Sequence, residues 1–131
     1  MDEIDANIIK ALKKDSRTSF VKIGKELGLT EGAIRQRVAK LCKSGAIKKF
    51  TIEATTNIKA IILIGTSSQT PTSKVAKDIR KFGIENVYEV SGNYDIICLV
   101  EGESLDEINS TIESIRNLDG VVDTTTTMVL K

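Results

Sequence analysis

The sequence predicts an α+β protein in two parts, three short helices followed by a β-α-β-β-α-β unit. Three observations carry that expectation. Through residues 1–45 apolar side chains recur at helical intervals, with capping residues and glycines framing the runs. Through residues 58–131 β-branched runs bounded by turn residues alternate with two amphipathic segments. Charge divides at the same place: residues 1–50 hold 12 Lys and Arg against 6 Asp and Glu, and residues 51–131 hold 7 against 12, within a chain of net charge +1. A basic half suits a polyanion, and an acidic half is kept off one.

In the first half, Ile4, Ile8, Ala11 and Leu12 share a helical face, with Asp2 and Glu3 placed to favour the helix N-terminus. Ser19 offers the next N-cap, Phe20, Ile23 and Leu27 line one face, and Gly28 breaks the pattern. Thr30 caps again, Glu31 complements the dipole, and Ile34, Val38 and Leu41 run on to Gly45. Two helices joined by the tight link "LGLT", Leu27 to Thr30, make a helix-turn-helix pattern, whose later helix enters the major groove of DNA. At about 100° per residue from Ile34, that helix turns Gly32, Ala33, Gln36, Ala39, Lys40 and Lys43 outward, with Arg35 and Arg37 on the flanks. Small residues near its start permit close approach. Gln36 suits adenine, Arg35 and Arg37 suit guanine or phosphate, and Lys40 and Lys43 suit phosphate. Together with Thr30 at the cap, Gly32, Ala33, Arg35, Gln36, Arg37, Lys40 and Lys43 are the expected DNA-binding residues. The competing expectation is a three-helix bundle with an ordinary solvated basic face.

The second half begins after "AIKKFTIEATTN", whose alternation predicts a connecting strand. "IKAIILIGT" reads as a buried strand. A helix follows in "QTPTSKVAKDIRKFG", with Pro71 in the loop or first turn, Val75, Ile79 and Phe82 on one face, and Gly83 as its stop. "NVYEV" and "DIICLVEG" are the next two strands, joined as a hairpin through Ser91 to Tyr94. A second helix starts at Ser104, with Glu107 at the capping-box position and Leu105, Ile108, Ile112 and Ile115 apolar. "VVDTTTTMVL" closes the chain as a strand. This order is the ferredoxin-like arrangement, with both helices on one face of an antiparallel sheet. The other face needs cover, which predicts a dimer through the sheet.

Composition excludes several classes. There is no histidine, and Cys42 and Cys98 are far apart, which disfavours a zinc site and a disulfide framework. Nucleophile elbow, phosphate loop and metal-ligand cluster are all missing, so neither an enzyme nor a metal cofactor is expected. Without an export signal or a run of about 18 apolar residues, a cytoplasmic location is expected, with no membrane partner.

The first half, from "DEIDANIIKALKK" to "GAIKKF", resembles the DNA-binding half of the Lrp/AsnC family, the feast/famine regulatory proteins. "VYEVSGNYDIICLV" and "LDGVVDTTTTMVL" resemble its effector-binding half. The resemblance implies a transcriptional regulator with residues 1–50 as a helix-turn-helix DNA-binding domain, 51–57 as a connector, and 58–131 as a ferredoxin-like oligomerisation and effector-binding domain. It also implies double-stranded DNA as partner, a homodimer with higher assembly such as an octamer, and an amino-acid effector bound between dimers. "SGNYD" matches the family's Gly-x-x-Asp effector loop, and Thr124 and Thr126 match its Thr-x-Thr positions. Alternation puts those two hydroxyls on one face. Backbone N–H groups around Gly92, Asn93 and Tyr94, the two threonines and Asp95 offer what a carboxylate and an ammonium need, with Val122 and Tyr94 beside the side chain. The plainer reading of the same stretch is a hairpin, in which Gly92 and Asn93 take unusual backbone angles and Asp95 accepts turn hydrogen bonds. The alternative function is an architectural DNA-binding protein that assembles without an effector.

Overall fold

Asp2 begins the first helix, α1 (Glu3–Lys14), by a reciprocal cap: its carboxylate accepts from the Asp5 N–H at 2.8 Å, and the Asp5 carboxylate accepts from the Asp2 N–H at 3.3 Å. Ser19 and Thr30 cap α2 (Phe20–Leu27) and α3 (Glu31–Ser44), each accepting from a backbone N–H three residues on at 3.1 Å. Gly28 and Gly45 end those helices in left-handed conformation, at φ 71° and 82°. Ile8, Leu12, Ile23, Ile34, Val38 and Leu41 form the buried centre, each contributing about 1.5–3 kcal/mol by removal from water.

This computed structural model describes all 131 residues and divides into two units, Met1–Glu53 and Ala54–Lys131. The expected connecting strand does not form: residues 46–57 are irregular, and Phe50 and Ile52 are exposed. A lone strand has no ladder to join, and the segment is instead tied back by the Ile47 N–H donating to the Leu41 carbonyl at 3.0 Å and by the Thr51 carbonyl accepting from the Ser16 hydroxyl at 3.3 Å.

The second unit runs β1 (Ile58–Thr66), α4 (Thr72–Arg80), β2 (Asn86–Glu89), β3 (Ile96–Gly102), α5 (Leu105–Arg116) and β4 (Val121–Met128). Its antiparallel sheet has the order β2-β3-β1-β4, with Ile64 opposite Ile96 on one side and Thr124 on the other. Ala60, Ile62, Ile64, Ile96, Cys98 and Val100 point to the core shared with Val75, Ile79, Ile108, Ile112 and Ile115 of the helices. Pleat alternation sends Ile61, Leu63, Ile97 and Leu99 to the opposite face, where they are half-buried or exposed.

Two apolar assignments differ. Phe82 is 45% exposed because α4 stops at Arg80 and the chain reverses at Gly83, φ 85°, so Ile84 and Val87 fill the core instead. Leu105 is 56% exposed at the first position of α5. Ser104 does cap α5, but the Glu107 carboxylate accepts from the Glu103 N–H at 2.8 Å, one residue before the expected partner.

Candidate functional site

The outward face of α3 is set by the burial of Ile34, Val38 and Leu41 on its inner side. Gly32, Arg35, Gln36, Ala39, Lys40 and Lys43 are all exposed. Gln36, Lys40 and Lys43 have no hydrogen-bond or ion-pair partner, and the space where a Gly32 Cβ would lie is open to 4 Å. Arg35 pairs with Glu31 and stands 5.5 Å from the centre of the Phe20 ring.

The other three expected residues lie differently. Arg37 turns back to α1, donating to Asp2 at 2.7 Å and Asp5 at 3.1 Å. Its hydrogen bond holds the Asp2 carboxyl below the usual carboxylate range, and the two aspartates raise the Arg37 value in return. The Thr30 hydroxyl oxygen is engaged as the cap, and Ala33 is half-buried. Thr30, Ala33 and Arg37 therefore support the helix, and five of the eight form its open face. Gly24 carried no sequence signal, yet it sets the helix-turn-helix contact: a Cβ there would meet the Leu29 carbonyl oxygen.

In the second unit Gly92, at φ 136°, and Asn93 are exposed in the link between β2 and β3. Asp95 is strongly tied in. Its carboxylate accepts from the Thr66 N–H at 2.8 Å, its own N–H donates to Ile64 at 2.9 Å, and its carbonyl accepts from Val90 at 2.9 Å. Tyr94 shares a 3.0 Å hydrogen bond with Thr125, not with Thr124 or Thr126. Thr124 and Thr126 do share a face, which is the helix side, where Thr124 accepts from Arg116 Nε at 3.0 Å. Thr126 is exposed without a partner, and Val122 is 67% exposed. Asp95 and Thr124 flank Ile64 from opposite strands, about 10 Å apart by two strand spacings. One chain thus brings Tyr94 to the open side of β4 and leaves the two threonines on the other.

Thr66, Thr125 and Arg116 were not anticipated, because a contact across the sheet depends on register. No group of three or more His, Cys, Asp or Glu is placed to hold a metal ion. Burial pushes the Cys98 thiol up to about 11. No helix is long and apolar enough to cross a membrane.

A helix-turn-helix with an unpaired basic face, in a chain that also carries a ferredoxin-like unit with an exposed polar loop, is the construction of a DNA-binding regulator. The family comparisons agree half by half: residues 1–41 match the AsnC-type helix-turn-helix domain and residues 59–131 match the Lrp/AsnC ligand binding domain. The chain is 45% identical over its whole length to the HTH-type transcriptional regulator LysM of Sulfurisphaera tokodaii, covering 96% of that protein. Among solved structures, Bacillus subtilis LrpC shares 26% identity at a TM-score of 0.74, over 100% of this chain and 95% of that one. A Neisseria meningitidis transcriptional regulator, solved as a complex with L-Met, shares the fold at 16% identity and a TM-score of 0.78, over 100% and 90% of the two chains. The chain belongs to the Lrp/AsnC family. It is a DNA-binding transcriptional regulator with a ligand-binding domain, not an enzyme.

Proposed function

We propose that the chain reads operator DNA through α3 as a dimer, and that an amino acid bound around the 92–95 loop and β4 adjusts its assembly and DNA occupancy. The observation that carries this reading is the row of unpaired Gln36, Lys40 and Lys43 beside Gly32 on one exposed helix face. Glycine lets the helix backbone approach the groove. Gln36 offers a paired donor and acceptor to adenine, while the lysines neutralise phosphates and release counterions. Discrimination at the Gln36 position is about 1–3 kcal/mol.

Pairing of two chains follows from the open sheet face, where Ile61, Leu63, Ile97 and Leu99 together with Tyr88 present apolar surface to water. Two-fold symmetry presents two copies of α3 to half-sites about one DNA turn, or a multiple, apart. Further assembly, such as an octamer, adds the second contact that an effector uses.

The ligand chemistry is that of an amino acid. Exposed backbone N–H groups around Gly92 to Tyr94 and the free Thr126 hydroxyl take the carboxylate, and the Asp95 oxygen not committed to Thr66 takes the ammonium. Val122 and Tyr94 touch the side chain. Because the loop and the threonines are separated by β1, a second chain completes the pocket, and a ligand shared in this way favours the assembly over its parts. The ligand-binding domain match and the L-Met complex of the Neisseria meningitidis regulator support this part.

The test is an electrophoretic shift series on the DNA upstream of the chain's own gene, with each amino acid added in turn. One or more amino acids should change the shifted species. Equal footprints on random and upstream DNA, with no amino acid altering either, would establish the architectural alternative.

A further inference from the structure

Arg35 is held from two sides in front of α3. Glu31, one turn earlier on the same helix, pairs with its guanidinium, and the centre of the Phe20 ring lies 5.5 Å from Cζ. Phe20 is the first residue of α2 and, partly buried, packs against the apolar cluster at the centre of the first unit, so its ring has a firm base. The Arg35 side chain nevertheless remains 63% exposed. An exposed i,i+4 ion pair and an exposed cation–π contact each add little to stability. What they supply is orientation of a long, otherwise flexible side chain.

Orientation matters to one of the two jobs an arginine does on DNA. Phosphate needs only positive charge, and the unrestrained Lys40 and Lys43 provide that. Guanine O6 and N7 need a planar fork at a defined angle, which a lysine does not offer. The Glu31 carboxylate also offsets the local charge, making Arg35 a poorer phosphate trap without removing its remaining donors. We infer that Arg35 is a guanine-reading residue, and that Glu31 and Phe20 are positioning residues for that discrimination. The inference rests on the docking of α3 in the major groove proposed above.

The experiment selects bound sequences from a pool of randomised duplexes with the full-length chain, and measures salt-dependent binding to sonicated mixed-sequence DNA. Wild-type protein should select a guanine in each half-site, and Arg35→Ala should lose that preference. Glu31→Gln and Phe20→Leu should weaken it by about five- to tenfold, within the range of one bidentate base contact, and leave other positions unchanged. Phe20→Tyr should retain it. Freed from its partner, Arg35 in Glu31→Gln should bind mixed-sequence DNA more tightly and steepen the log–log salt slope by about 0.9. A merely structural role would lower all positions alike, in step with thermal stability, and that result overturns the inference. If Lys40→Ala weakens binding on every sequence while Arg35→Ala keeps each base preference, α3 still docks and only this inference falls. If neither variant changes binding, the docking falls and the inference with it.

Discussion

The carbonyl oxygen of Leu29 occupies the place where a side chain on Gly24 would begin. The Leu29 N–H donates to the Gly24 carbonyl at 2.8 Å, so the turn lies directly on the α2 backbone. An alanine in a helix interior ordinarily stabilises relative to glycine. At Gly24 the sign reverses, because the obstacle is backbone. Gly24→Ala should destabilise the first unit by about 1–3 kcal/mol and weaken DNA binding, seen as a lower melting temperature and a weaker electrophoretic shift.

Gly32 is the opposite case. Nothing lies within 4 Å of a Cβ built there, and its φ is not positive. Gly32→Ala should stabilise by about 0.4–1 kcal/mol in thermal melts. If this face meets the groove, the same methyl should weaken DNA binding. Stability and affinity moving in opposite directions is the signature to measure.

Arg37 links stability to acid. Its hydrogen bond is the leading cause of the depressed Asp2 value, with the Asp5 N–H second. A depressed carboxylate adds stability above its unfolded value, 3.8, and loses that contribution as pH falls through the lower folded value. Asp2→Asn should therefore melt below wild type at pH 7, with the gap closing on acidification below about pH 4. Melting curves across pH, on both proteins, check it.

Asp95 carries two roles that one substitution separates. Its carboxylate caps the Thr66 N–H at 2.8 Å, so Asp95→Ala should cost about 1–3 kcal/mol through the orphaned donor. Asp95→Asn keeps an oxygen for Thr66 but loses the charge. It should melt near wild type, bind DNA without effector, and lose the effector response; Thr126→Val should behave likewise. Calorimetry with the amino acid that perturbs the wild-type shift is the measurement, and undiminished heat with Asp95→Asn would remove Asp95 from the site.

Leu63 and Ile97 are directly paired neighbours on the open sheet face, away from the buried cluster. Leu63→Lys should leave that cluster intact and turn the assembly towards monomer in sedimentation at micromolar concentration. Since DNA is proposed to bind two copies of α3, its affinity should fall with it. An unchanged oligomeric state would move the dimer contact off this face.

The existence and the starts and stops of the helices were legible in the sequence, because those signals are local, although Phe82 and Leu105 fell outside the buried faces. Ser19, Thr30 and Ser104 cap where sequence places them, Asp2 lies at the helix start its charge favours, and Gly28 and Gly45 stop helices through a left-handed angle that needs no tertiary partner. The β1 strand and the order of elements in the second unit followed equally from β-branched runs and turn residues. The capping-box pattern put Glu107 within reach of the helix start, but its partner there is the Glu103 N–H and not that of Ser104.

What needed the folded chain was every choice between two equivalent sides. Alternation makes Thr124 and Thr126 share a face, but only the pairing of Ile64 with Thr124 turns them to the helices and leaves Thr125 to meet Tyr94. Helical phase puts Arg35 and Arg37 on the flanks of α3, yet the approach of Asp2 and Asp5 draws Arg37 inward while Phe20 and Glu31 hold Arg35 outward. Local periodicity determines which residues travel together. Which neighbour they meet is decided by contacts between segments distant in sequence, whose energies no local pattern contains.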